Sequence, residues 1–149
     1  MSILIRFLHD ARDEPDMAIG QITLGAFVEE FEMVLSVWSR ERYERQWREG
    51  IQRLLDGKSK SCLITSFWGD RNAFGGEWWT MYRMEDQVAI RNQLIRPDIF
   101  DQDLDNFDPG NPYLSIPEWC PVNEDGQEPS RWMVPFDQIT PCSSEVTTD

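Results

Sequence analysis

The stretch SRERYERQWREGIQRLLDGKSKSCLITSF, residues 39–67, holds both periodicities from which the fold is read. Tyr43, Trp47, Ile51, Leu54 and Leu55 fall at i, i+4, i+8, i+11 and i+12, which is one face of an α-helix. Ser39 is a suitable N-cap, and Gly57 is placed to end the helix in a left-handed conformation. A helix is therefore predicted over residues 39–56. Its other face carries Arg42, Arg45 and Arg48 among Glu41, Glu44 and Glu49. The interleaved glutamates make this a mixed, solvated surface rather than a nucleic-acid stripe. Past Gly57 the pattern shifts, and SCLITSFW (61–68) reads as a strand.

Two more strands follow at 77–84 (EWWTMYRM) and 87–95 (QVAIRNQLI). Glu85-Asp86 is a hairpin connection between them, and GDRNAFGG (69–76) is a flexible turn. Val88, Ile90, Asn92 and Leu94 share one strand face, so Asn92 would need hydrogen-bond partners if buried. Upstream, residues 17–37 read as extended. Ile22, Leu24, Ala26 and Val28 alternate with other residues, then Phe31, Met33 and Leu35 continue after a phase shift that marks a bulge or turn. Residues 9–16 look like a loop around Pro15. Residues 113–119 (YLSIPEW) are a candidate edge strand. The expected fold class is α+β, mostly antiparallel sheet with one main amphipathic helix packed on it. The 149 residues form one domain, with 1–16 and 140–149 loosely ordered.

Composition excludes several function classes. No apolar run exceeds three residues, whereas a membrane-spanning helix needs about 20. The N-terminal residues lack the basic and apolar regions of a secretory signal, so a cytoplasmic location is expected. Cys62, Cys120 and Cys142 are odd in number and form no CxxC pair, as free thiols would. The net charge is −13, unevenly spread. Residues 1–37 carry 2 basic and 7 acidic groups, residues 38–97 carry 11 and 8, and residues 98–149 carry 1 and 12. Such a surface repels phosphate backbones and suits a basic partner.

Motifs for catalysis are missing. His9 is the one histidine, and it sits in a charged loop without placed partners. Asp101, Asp103 and Asp105 resemble the opening of a calcium loop, but that loop needs Gly at its sixth position and Glu at its twelfth. Asn106 and Pro112 stand there. GGEW at 75–78 lacks the features of a phosphate loop. Binding is favoured over catalysis, with no metal and no cofactor.

The spaced aromatics carry a resemblance. Leu35 and Trp38, Tyr43 and Trp47, Leu63 and Ser66, Trp79 and Tyr82, then Val88, Asn92 and Ile95, and finally Ile116, Glu118 and Trp119 occur in an order similar to that of the CdiI immunity proteins of contact-dependent growth inhibition systems. The match spans roughly residues 22–119. The resemblance implies a small, cytosolic, non-catalytic protein encoded beside a toxin. It would bind the toxin's C-terminal domain, often a nuclease, one to one and neutralise it. It also implies an antiparallel β fold similar to the Whirly single-stranded-DNA-binding fold, without that activity. A single-stranded nucleic-acid-binding or regulatory protein of the same fold is the alternative, and the charge argues against it. The aromatics are expected in the core. Toxin contacts are expected from exposed acids and their apolar neighbours. These are Asp98, Phe100, Asp101, Asp103, Asp105, Phe107 and Asp108, then Glu124 and Asp125, and Glu29, Glu30 and Glu32.

Overall fold

The computed structural model describes residues 3–69, 74–95, 111–120, 126 and 130–141. Strands β1 (Ile3–Asp10), β2 (Met17–Leu24) and β3 (Phe27–Val34) precede helix α1 (Arg40–Leu55). Strands β4 (Lys60–Gly69), β5 (Phe74–Met84), β6 (Gln87–Ile95) and β7 (Trp132–Pro135) follow. They form two antiparallel sheets, ordered β1-β2-β3 and β4-β5-β6-β7. Short 3₁₀ turns lie at Pro112–Ser115 and Phe136–Gln138. The α+β expectation holds.

The phase shift near residue 26 is a hairpin. Leu24 pairs with Phe27 across a two-residue turn in which Gly25 has φ 65°. Glycine takes that angle without a Cβ clash, and its place as first central residue suits the twist of the flanking strands. Residues 3–10, expected to be loosely ordered, instead pair with β2 from Ile3↔Leu24 to Asp10↔Ala18. Ile3 is buried and Ile5 and Phe7 pack against the core, so their apolar faces compensate the ordering of the N-terminal segment. Gly75 and Gly76, read as part of a turn, belong to β5. A Cβ on Gly76 would run into the Ser66 carbonyl, so strand pairing there needs glycine. Asn92 is exposed and does not interrupt a buried stripe. Residues 113–119 do not form the expected strand. Tyr113 lies in a 3₁₀ turn begun by Pro112, and the following segment is held by side chains. Tyr82 Oη donates to the Pro117 carbonyl at 2.9 Å, and Lys60 Nζ donates to Ile116 and Glu118. The Arg91 guanidinium stacks 3.8 Å from the Trp119 ring.

Aromatic contacts join the two sheets. Phe27 meets Trp132 at 4.6 Å and Trp79 at 6.4 Å, and Trp79 meets Trp132 at 5.3 Å. Trp38, Tyr43, Trp47, Trp79 and Tyr82 are buried as expected; Trp119 is partly buried.

Helix α1 matches its predicted span to within a residue at each end. Ser39 accepts from the Arg42 N–H, and Gly57 adopts φ 96°. The helix lies along the outer edge of β4 and hydrogen-bonds it through side chains. Gln46 Oε1 accepts the Ile64 N–H at 2.7 Å, and its Nε2 donates to the Cys62 carbonyl at 2.9 Å. Trp47 Nε1 donates to the Ile64 carbonyl at 2.7 Å. Tyr43 Oη accepts the Phe67 N–H at 2.8 Å and donates to the Val34 carbonyl of β3 at 2.6 Å. Edge groups that a further strand would pair are thus satisfied by the helix.

Candidate functional site

Beside β3, residues of β2, β3, β4, β5 and β6 line an open groove of about 570 Å³. Register explains its floor. Ser66 pairs with Glu77 and Glu77 with Leu94, so these three side chains share a face with Trp68. Trp68 lies against Gly75, where a Cβ would come within 2.9 Å of the indole nitrogen. Trp68 is 41 % exposed, and Leu94 is 45 % exposed. The wall is β3, with Glu29, Glu30, Phe31, Glu32 and Val34, backed by Met17 and Ile19 of β2.

Four carboxylates meet this groove: Glu29, Glu30, Glu32 and Glu77. Its lining contains no lysine, arginine or histidine. Among the described residues the ion pairs are Arg40–Glu44 and Lys60–Glu118, and neither lies here. Glu77 Oε1 accepts from Thr65 Oγ1 at 3.0 Å. Partial burial pushes the Glu29 carboxyl above its ordinary value, and the charge of Glu77 raises it further. The groove therefore combines apolar contact area with uncompensated negative charge.

The backbone of β3 adds a third feature. The two-residue turn fixes Leu24/Phe27, Ile22/Glu29, Gly20/Phe31 and Ala18/Met33 as the hydrogen-bonded pairs. The Leu35 N–H continues that series to the Asp16 carbonyl at 2.7 Å. The N–H and C=O groups of Val28, Glu30 and Glu32 then point away from β2. Strand β3 is an edge, and no backbone hydrogen bond reaches those groups among the described residues.

Of the residues singled out from sequence, Glu29, Glu30 and Glu32 come together at this groove. Asp98, Phe100, Asp101, Asp103, Asp105, Phe107, Asp108, Glu124 and Asp125 lie outside the described residues. Trp68, Glu77 and Leu94 were missed. Each falls in a strand segment read for its buried face, and the signal that could have found them is the register joining three strands.

Two other surfaces bear on function. Arg42, Arg45 and Arg48 line a shallow depression beside Trp38 and Glu41. This is a local basic face, but Trp38 is buried and offers no exposed ring for base stacking. His9 is exposed, and its Nδ1 lies 3.0 Å from the Asp10 carbonyl. No group of three or more metal-ligating side chains occurs among the described residues. No helix among them is long and apolar enough to cross a membrane. The Cys62 thiol is buried, which pushes its ionisation up and makes it a poor nucleophile.

Comparison with known proteins gives one family and one fold. The family model described as the CdiI N-terminal domain matches residues 33–142. A chain of the CdiA-CT/CdiI toxin and immunity complex from Enterobacter cloacae shares the architecture at a TM-score of 0.77. That alignment has 20 % identity and covers 91 % of each chain, a likeness of fold. The comparison with curated proteins returns no match.

Proposed function

Because the chain belongs to the CdiI N-terminal domain family, whose pattern spans residues 33–142, we propose that it is an immunity protein. It binds the C-terminal toxin domain of its cognate CdiA protein one to one in the cytoplasm and blocks it without catalysis. Family membership carries this reading. The solved toxin and immunity complex of the same fold supports it, as does the net charge of −13.

The toxin in this reading is a nuclease. A nuclease must hold phosphates and presents a basic surface, to which this acidic protein is the complement. The acids after residue 97, from Asp98 to Asp108 and at Glu124 and Asp125, steer association together with Glu29, Glu30 and Glu32. Phe100 and Phe107 are candidate anchors among them.

Co-expression with the toxin domain tests the reading. Cells carrying the domain alone should stop growing and degrade their RNA or DNA, and cells carrying both should grow with nucleic acid intact. Unprotected cells would refute immunity; growth arrest with intact nucleic acid would refute the nuclease. The association rate should fall with salt, since exposed charges are screened within about 10 Å at 0.1 M. It should fall further when Asp101, Asp103 and Asp105 are changed together to Asn.

A further inference from the structure

We propose that the free edge of β3 and the adjoining groove receive a basic, extended segment of the partner, which pairs with β3 as an added strand and rests apolar side chains on Trp68 and Leu94. The inference rests on the immunity reading for the partner's identity and deepens it by naming the surface and the mode of contact.

Three observations converge on this occupant. First, the outward backbone groups of Val28, Glu30 and Glu32 form a ladder without hydrogen bonds among the described residues. The corresponding edge of β4 is covered by Gln46, Trp47 and Tyr43. An open edge is the template for strand addition, in which main-chain bonds give affinity and alternate side chains give specificity. Second, the groove beside that edge exposes apolar surface from both sheets: Met17, Ile19 and Val34 on one side, Trp68 and Leu94 on the other. A strand laid along β3 can contact both. Third, the charge selects the partner. Four carboxylates border the groove with no cation among its lining residues, and partial burial together with the charge of Glu77 raises the cost of ionising Glu29. Lysine or arginine side chains on the incoming segment would relieve that repulsion. A second copy of this chain would not. Edge-to-edge pairing of two β3 strands sets Glu30 and Glu32 beside the same carboxylates of the other copy, and like charges so placed are unfavourable. The glutamates thus repel self-association and admit a basic strand.

The test uses the full chain and the purified C-terminal domain of the CdiA protein encoded beside it. Amide hydrogen exchange is measured with and without that domain. The Glu30 and Glu32 amides should slow at least tenfold in the complex. Those of Glu29 and Phe31, already bonded to β2, should change much less. Glu30→Pro removes an outward N–H at an edge position where proline is tolerated. It should weaken binding at least tenfold beyond Glu30→Gln, which removes only the charge. Glu30→Lys with Glu32→Lys should weaken it at least a hundredfold, while Asp13→Lys in the β1–β2 loop should change it less than threefold. If wild-type chain fails to bind the domain, the immunity reading falls and this inference falls with it. If wild type binds but the Glu30 and Glu32 amides exchange as in the free chain, the edge proposal alone is overturned. Should Glu30→Pro not fold, the exchange measurement on wild type still decides.

Discussion

Replacing Gln46 with leucine tests whether α1 covers the edge of β4 in the way described. Gln46 is 5 % exposed and bonds both the Ile64 N–H and the Cys62 carbonyl. Leucine has similar bulk but fills neither role, so one donor and one acceptor are left without partners in a dry position. An orphaned buried group costs about 1–3 kcal/mol, so the pair costs about 2–6 kcal/mol. The added apolar surface recovers about 1–2 kcal/mol of this. Central values, about 4 kcal/mol lost and about 1.5 kcal/mol recovered, leave a net loss of about 2.5 kcal/mol, which should lower the melting temperature by about 5–10 °C for a chain of this size. Urea titration followed by circular dichroism is the assay, with the midpoint falling and the slope unchanged. Gln46→Glu sharpens the test. At neutral pH its carboxylate can still accept from Ile64 but cannot donate to Cys62. Burial raises the pKa of the introduced carboxyl, so the folded state takes up a proton as pH falls and the deficit against wild type should shrink in acid. A loss under about 1 kcal/mol for Gln46→Leu would show that water or backbone movement satisfies the edge, and the reasoning would fail.

The second prediction concerns Gly50, which is buried and whose carbonyl accepts from Ser61 Oγ at 2.6 Å. A Cβ there would strike the Cys62 carbonyl oxygen, so Gly50→Ala should cost about 1–3 kcal/mol in urea unfolding despite alanine's better helix propensity. The third uses the three tyrosines. Burial pushes the hydroxyls of Tyr43, Tyr82 and Tyr113 up, that of Tyr43 to about 12. Unfolded tyrosine ionises near pH 10, so this stability is fully present below about pH 10 and lost as pH rises through the folded values. Tyrosinate absorbance should therefore appear together with loss of the fold, and a tyrosine titrating near pH 10 in folded chain would refute the assignment.

The parts of the fold legible in sequence are those governed by one period. Tyr43, Trp47 and Ile51 repeat along a helix face, and the stop signal at Gly57 is local, so α1 was read to within a residue at each end. The same reading passed over Gln46 and Gly50, both buried. Periodicity assigns polar residues to solvent, whereas Gln46 is inside because a strand edge needs its amide. Residues 3–10 were missed for a related reason: what orders them is pairing with β2, a contact between segments. Pro112 and Pro117 mattered more than the apolar pattern of 113–119. At the candidate site the glutamates were visible as charge. Their meaning depends on Trp68, Glu77 and Leu94, which only the register of β4, β5 and β6 brings beside them.

The side-chain seal between α1 and β4 also bears on how the chain reaches its native state. Its bonds span between 11 and 24 residues of sequence, which is short for contacts that involve a sheet. Loop closure over such spans is cheap and fast. The segment from Ser39 to Phe67 can therefore dock as a unit early, shielding a β edge that would otherwise be open to intermolecular pairing while later strands assemble. A lesion in the seal would then show first as lost yield and clumping during synthesis, before any lowered affinity in the molecules that do fold.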